Sequence, residues 1–100
     1  MLFAIMAEDH PGTLALRLEN RPAHLARLRT LQEAGRLILA GPFPAAETED
    51  PGDLGFKGTL IVAEFDSLSE AKAFIAADPY QQAGVFAEVR INPFKKVLPA

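Results

Sequence analysis

The sequence contains no cysteine among its 100 residues. Disulfide bridges, thiolate metal sites and thiol nucleophiles are therefore excluded, and nothing in the composition marks an oxidising compartment. An excess of basic residues is also missing, because 10 Lys and Arg stand against 13 Asp and Glu, for a net charge of −3. That charge repels the phosphate backbone of nucleic acids. We expect a cytoplasmic protein with no nucleic-acid partner.

No hydrophobic run is long enough to span a membrane. The apolar opening segment, residues 1–7, also lacks the basic leader and cleavage site of a secretory signal, so we expect no membrane partner. With 49% hydrophobic residues, the chain can bury one core but has no length for two. The sequence therefore predicts a single domain over residues 1–100.

Apolar runs and period-two alternation predict four strands, at residues 2–7, 37–40, 59–65 and 85–92. Helical spacing predicts one helix over residues 13–34 and a second that begins at Ser67 and ends before Pro79. Pro22 is expected to kink the first helix or to restart it, which would leave separate pieces at 14–20 and 22–34. Ser67 and Glu70 have the spacing of a capping box.

Residues 42–57 form the one long irregular stretch, rich in proline and acidic residues. Loops of this length in compact domains are often functional covers, but an inert hairpin extension explains the same composition. Both interpretations, a lid and an inert extension, stay open.

The order strand, helix, strand, strand, helix, strand is typical of an α+β ferredoxin-like βαββαβ sandwich, with two helices on one face of a four-stranded antiparallel sheet. The first and third strands then lie at the centre of the sheet, and both are apolar on their two faces. The face without helices would be a large apolar patch that needs a cover. A second copy is the simplest cover, so we predict a homodimer that pairs through the sheet.

The same topology gathers several segments at one rim of the sheet. These are Asp9 and His10, the start of the first helix, Gly41-Pro42 with the long irregular stretch that follows it, Gly58, and Asp78-Pro79-Tyr80. This rim is where a site for a small-molecule ligand or substrate is expected.

His24 is the strongest candidate for chemistry. It shares the core-facing side of the first helix with Leu28 and Leu31, so it points inward or into a cleft. Imidazole suits proton transfer near neutral pH when a partner orients it. Asp78 is the natural partner, because a carboxylate at the end of the second helix opposes the helix dipole and needs compensation. The alternative is a buried histidine bonded to a carbonyl and a satisfied helix-end aspartate.

Six further residues are candidate substrate-binding groups: Asp9, Arg17, Arg21, Gly41, Pro42 and Tyr80. The two arginines lie one turn apart and could hold a substrate carboxylate, although solvated helix arginines are commoner. Turn and capping roles are the favoured explanation for Asp9 and Gly41, and Tyr80 could simply pack. No spacing of ligands matches a metal site, and no serine triad or phosphate loop is present, so we expect neither metal nor cofactor.

Several short motifs together resemble the YCII-related domain family over nearly the whole chain. They are Arg21-Pro22-Ala23-His24-Leu25, Leu39-Ala40-Gly41-Pro42, Gly55-Phe56-Lys57-Gly58, Ala77-Asp78-Pro79-Tyr80, Ala83-Gly84-Val85 and Pro93-Phe94-Lys95-Lys96. The resemblance implies a ferredoxin-like dimer whose suspected catalytic histidine and aspartate correspond to His24 and Asp78. A related dehydrochlorinase implies elimination from a small cyclic or dienol acid.

Two functional hypotheses follow. The first is a lyase or isomerase in which His24 transfers a proton, Asp78 orients it, and Arg17 or Arg21 steadies an anionic substrate. The second is a non-catalytic dimeric module that binds a metabolite or assists another enzyme, with His24 as a packing residue.

Overall fold

The computed structural model describes residues 1–100 and contains one four-stranded antiparallel sheet. Its strands are β1 (Leu2–Asp9), β2 (Leu37–Pro44), β3 (Phe56–Glu64) and β4 (Phe86–Phe94), in the order β2-β3-β1-β4. The helices are α1 (Leu14–Glu33), α2 (Leu68–Ala76) and the short α3 (Pro79–Gln82). The predicted α+β architecture is confirmed, with β1 and β3 at the centre, and α3 is an addition that the sequence patterns did not predict.

One face of the sheet carries the core. Alternate residues of β1 point to this face, and Ile5 of β1 lies opposite Ile61 of β3. Both long helices pack on the same face, where the buried side chains are Phe3, Ile5, Ala7, Ile61, Ala63, Leu28, Leu31, Ala71 and Ile75. The predicted core side of α1 is therefore correct.

The opposite face of the sheet is partly apolar. Met6 is 47% exposed there and lies between Leu60 of β3 and Arg90 of β4. Leu39 of β2 adds a second exposed apolar side chain opposite Val62. Because β4 contributes polar residues such as Arg90, this apolar surface is a strip along the central strands and β2 rather than the whole face.

Both edge strands extend through prolines that were predicted to end them. β2 does not stop before Gly41-Pro42 but runs to Pro44, and β4 continues through Pro93 to Phe94. An edge strand pairs on one side only, so a proline without an N–H can be accommodated there. β3 also begins earlier than predicted, at Phe56, which reduces the irregular segment to residues 45–55 with a single 3-10 turn at Gly52–Leu54.

Helix α1 is one helix with Pro22 inside it. The predicted alternative of two separate pieces is wrong. Pro22 is exposed, and the hydrogen bond that its ring removes is offset by the burial of His24, Leu28 and Leu31 along the inner side of the same helix.

Helix α2 begins as the capping box predicts. The Ser67 hydroxyl accepts a hydrogen bond from the Glu70 amide at 3.1 Å. The Glu70 carboxylate in turn accepts from the amide of Asp66 at 2.7 Å, one residue before the usual position. This bond from the Asp66 amide lowers the pKa of Glu70. None of the three helices combines the length and apolar composition needed to cross a bilayer.

Candidate active site

His24 and Asp78 are in direct contact. Nδ1 of His24 lies 2.9 Å from Oδ2 and 3.1 Å from Oδ1 of the Asp78 carboxylate. His24 is 5% exposed and Asp78 is completely buried. The structure therefore brings together the two residues that were predicted to form a pair, although they come from different helical segments.

Asp78 lies at the start of a helix and not at the end of one. The prediction that it ends the second helix is wrong, because α2 stops at Ala76 and a new helix begins at Pro79. Oδ1 of Asp78 accepts a hydrogen bond from the Tyr80 amide at 2.8 Å, which makes it the N-cap of α3. A carboxylate is favourable at this end of a helix, and the capping bond also orients it toward His24.

The tautomer of His24 follows from this geometry. An ionised carboxylate can only accept hydrogen bonds, so Nδ1 of His24 carries the proton that it donates to Asp78. The opposite ring nitrogen, Nε2, makes no hydrogen bond within the chain, and His24 lines an open cavity. In the neutral ring, Nε2 has the free lone pair that can accept a proton.

Tyr80 packs directly on the histidine. The two rings are nearly parallel, with centroids 4.0 Å apart. The guanidinium carbon of Arg17 lies 4.5 Å from the centre of the same Tyr80 ring. Burial raises the pKa of Tyr80, and the positive charge of Arg17 offsets part of that effect. The phenol is therefore a neutral hydrogen-bond donor at the cavity wall.

Arg17 is buried, so its interpretation as a solvated helix arginine is wrong. Its guanidinium pairs with both carboxylate oxygens of Asp9, at 2.9 and 3.0 Å. Nη2 also donates to the Gly58 carbonyl at 3.1 Å and to the Thr59 hydroxyl at 2.8 Å. These contacts join the start of α1 to the end of β1 and the start of β3, and they occupy Nε and Nη2, so only Nη1 of Arg17 is left to donate to a substrate.

A cavity of about 660 Å³ opens beside His24. Its size lies within the range of small-molecule sites. Five of the predicted substrate-binding residues line it, while Asp9 lies behind Arg17 and does not; the five are Arg17, Arg21, Gly41, Pro42 and Tyr80. Arg21 is exposed and makes no ion pair within the chain, so its donors are free. Whether these residues bind substrate stays a prediction.

Part of the cavity wall was missed from the sequence. Thr59 contributes to it and was not predicted to do so. The irregular segment, which was predicted to lie at this rim, also lines the cavity, through Glu49, Asp50 and Asp53. These three acidic side chains were not singled out, because the composition of the segment does not show which of its residues face the cavity. Its role as a lid stays a prediction. No group of three or more His, Asp or Glu side chains is arranged to hold a metal ion.

Comparison with known proteins places this chain in a family. The model of the YCII-related domain matches residues 1–95. The chain belongs to the YCII-related domain family. Protein YciI of Escherichia coli O6:H1 is 53% identical over 97 residues, covering 97% of this chain and 99% of that protein. A Haemophilus influenzae protein is 50% identical over the same shares of the two chains.

A solved structure is also similar to this YCII-related chain. It is 5-chloro-2-hydroxyhydroquinone dehydrochlorinase (TftG) from Burkholderia phenoliruptrix AC1100, in complex with 2,5-dihydroxybenzoquinone. The identity is 35%, the TM-score is 0.84, and the match covers 95% of this chain and 94% of that one. The similar fold therefore holds a small cyclic ligand in that enzyme.

Proposed function

We propose that this YCII-related protein is an enzyme that uses His24 and Asp78 to move protons in an elimination or isomerisation of a small anionic cyclic or dienol compound. The observation that carries the proposal is the contact between His24 Nδ1 and the buried Asp78 carboxylate at the wall of an open cavity. The similarity to a dehydrochlorinase supports elimination as the reaction class.

The geometry supports distinct roles for the two residues. Asp78 keeps the proton of His24 on Nδ1 and stabilises the imidazolium that forms when Nε2 accepts a proton. Arg21, with free donors at the cavity wall, steadies the negative charge that develops on the substrate. Tyr80 limits the movement of the imidazole by stacking on it, and its hydroxyl can donate to a substrate oxygen.

Dehydrochlorination of a chlorinated hydroxyhydroquinone illustrates the proton balance. Two hydroxyl protons leave the substrate, and one proton is delivered to the ring carbon that bears chlorine. Chloride then departs with the electron pair of the C–Cl bond, so the net change is loss of HCl and no oxidant is needed. A single base that accepts and returns protons, such as His24, is sufficient for this sequence.

The test compares His24→Gln with the unchanged chain, using 5-chloro-2-hydroxyhydroquinone as substrate and chloride release as the readout. We expect a loss of turnover of about 100-fold or more, since general acid–base catalysis contributes about 10² to 10⁴. His10→Gln is the matched control, because His10 is the only other histidine and is exposed. A folded His24→Gln variant with full activity would remove His24 from the mechanism.

The outcome also separates the enzyme from a non-catalytic binding module. If the unchanged chain binds 2,5-dihydroxybenzoquinone but releases no chloride, the dehydrochlorination proposal is wrong and the binding module is favoured. In that case His24→Gln should lower thermal stability rather than turnover.

We also propose that two copies pair through the sheet face that the helices do not cover. The exposed side chains of Met6 and Leu39 on this face support the proposal, because pairing would remove apolar surface from water. Sedimentation should then give about twice the monomer mass of 10.8 kDa. Met6→Lys should produce the monomer, and a monomeric unchanged chain at micromolar concentration would contradict the pairing. A cytoplasmic location stays a prediction from the sequence.

A further inference from the structure

Arg27 reaches the same carboxylate as His24. It follows His24 by about one turn on α1, and its Nη1 lies 3.6 Å from Oδ2 of Asp78. Its Nη2 donates to the Phe74 carbonyl at 2.8 Å, and its guanidinium carbon lies 4.2 Å from the centre of the Phe74 ring. The last turn of α2 thus holds the guanidinium in place beside Asp78.

Nη1 of Arg27 is unusual among the polar side-chain atoms of the chain. It is the one buried side-chain nitrogen or oxygen with no hydrogen-bond partner. A buried donor without a partner costs free energy, so a role in hydrogen bonding does not account for its position. Its positive charge, directed at a completely buried carboxylate, does account for it.

We propose that Arg27 is a positioning residue that acts through Asp78. It shares the negative charge of Asp78 with His24, and so limits how strongly the carboxylate retains a proton on the imidazole. The effect of Arg27 on catalysis rests on the proposed function, because a base that holds its proton too tightly cannot return it to the substrate. The electrostatic coupling itself rests on the geometry alone.

Other charges also face His24 and need to be separated from this effect. The charged and titratable groups on the cavity wall around it are Arg17, Arg21, Tyr80, Glu49, Asp50 and Asp53. Arg17 is already neutralised by Asp9. None of these six groups bonds to the His24 ring or pairs with Asp78. Only Asp78 bonds to the ring, and only Arg27 forms a second ion pair with Asp78. Replacing Arg27 therefore changes the charge balance of the pair while leaving the other groups in place.

The experiment is an NMR titration of the imidazole rings in ¹⁵N-labelled full-length protein from pH 4 to 9. The chain has only two histidines, so His10 serves as an internal reference in every sample. In Arg27→Gln the titration midpoint of the His24 ring should rise by about 0.5 to 1 pH unit, because the full charge of Asp78 then favours the imidazolium. Arg27→Lys should return the midpoint most of the way, since it restores the charge.

Two further variants make the result decisive. Arg27→Met keeps an apolar stem over Phe74 and is a second neutral replacement with a smaller effect on packing. Arg29→Gln removes an exposed charge from the same helix and should leave the His24 midpoint unchanged. An unshifted His24 midpoint in a cooperatively folded neutral variant, or an equal shift in Arg29→Gln, would overturn the inference.

The titration needs no substrate, so it is independent of whether chloride release is observed. If the unchanged chain proves inactive, a shifted midpoint still supports the coupling. If the chain is active, the pH–rate profile of Arg27→Gln should move to higher pH with the ring titration. A loss of rate at every pH, with an unmoved profile, would assign Arg27 a purely structural role.

Discussion

Replacing Asp9 by Asn tests how much the buried ion pair with Arg17 contributes to stability. Both side chains are almost completely buried, at 3% and 5% exposure, and two hydrogen bonds join them. Removing one charge leaves the other buried and uncompensated, which costs about 3 to 5 kcal/mol. Because Arg17 keeps its bonds to Gly58 and Thr59, we expect the lower value, about 3 kcal/mol.

The measurement is urea unfolding followed by circular dichroism at neutral pH, with a thermal melt as a second readout. A loss of about 3 kcal/mol in a domain of this size corresponds to a fall in Tm of about 12 to 24 °C. Glu88→Gln is the control, since it removes an acid from the exposed pair with Arg90 and should leave the unfolding midpoint unchanged.

A double variant tests the cause of the loss. Asp9→Leu combined with Arg17→Met removes both charges and should recover much of the stability that Asp9→Asn loses, because no unpaired charge remains. If the free energy of unfolding of Asp9→Asn instead lies within about 1 kcal/mol of that of the unchanged chain, the pair is not isolated from water and the electrostatic reasoning fails.

Three further predictions concern local features. Gly58→Ala should destabilise the fold by about 2 kcal/mol or more, because a Cβ there would meet the Ala7 carbonyl oxygen. Gly41→Ala should be tolerated, because nothing lies near its Cβ, and equal urea midpoints for the two variants would contradict this reasoning. Ser67→Ala should cost about 1 kcal/mol through loss of the α2 cap, again by urea unfolding. Tyr80 is the only tyrosine and the chain has no tryptophan, so absorbance near 295 nm should show its phenol ionising with a pKa above the usual value of about 10. The contribution of the neutral phenol to the free energy of unfolding should be fully present below a pH of about 10 and should be lost as the pH rises through the folded-state pKa.

The regular elements were predictable because they depend on local patterns, whereas the contact between His24 and Asp78 was an expectation that the family resemblance favoured. Hydrophobic periodicity placed β1, α1 and β3, and the spacing of Ser67 and Glu70 placed the start of α2. The position of His24 on the inner side of α1 followed from the same periodicity. Chain direction in a βαββαβ order then brought Asp78 to the same rim.

The errors arose where tertiary contacts override local signals. Prolines read as stops in β2 and β4 lie in edge strands, which tolerate them, and Pro22 is carried inside a helix that the core holds together. The burial of Arg17 could not be predicted, because its partners Asp9 and Thr59 come from separate strands. Arg27 was not singled out for the same reason, since its contacts are on α2 and at Asp78.

The position of Asp78 restricts how this protein can vary. One carboxylate both starts α3 and holds the imidazole, so the two duties share a single short side chain. Asn at this position would retain the helix start but not the negative charge, whereas Glu would displace the carboxylate by one methylene group. Asn would also leave Arg27 without its charged partner, so a relative with Asn there would be expected to lose stability together with the proposed proton transfer. The ion pair with Arg27 and the proposed proton transfer therefore depend on one carboxylate, and a substitution at Asp78 is expected to affect both together.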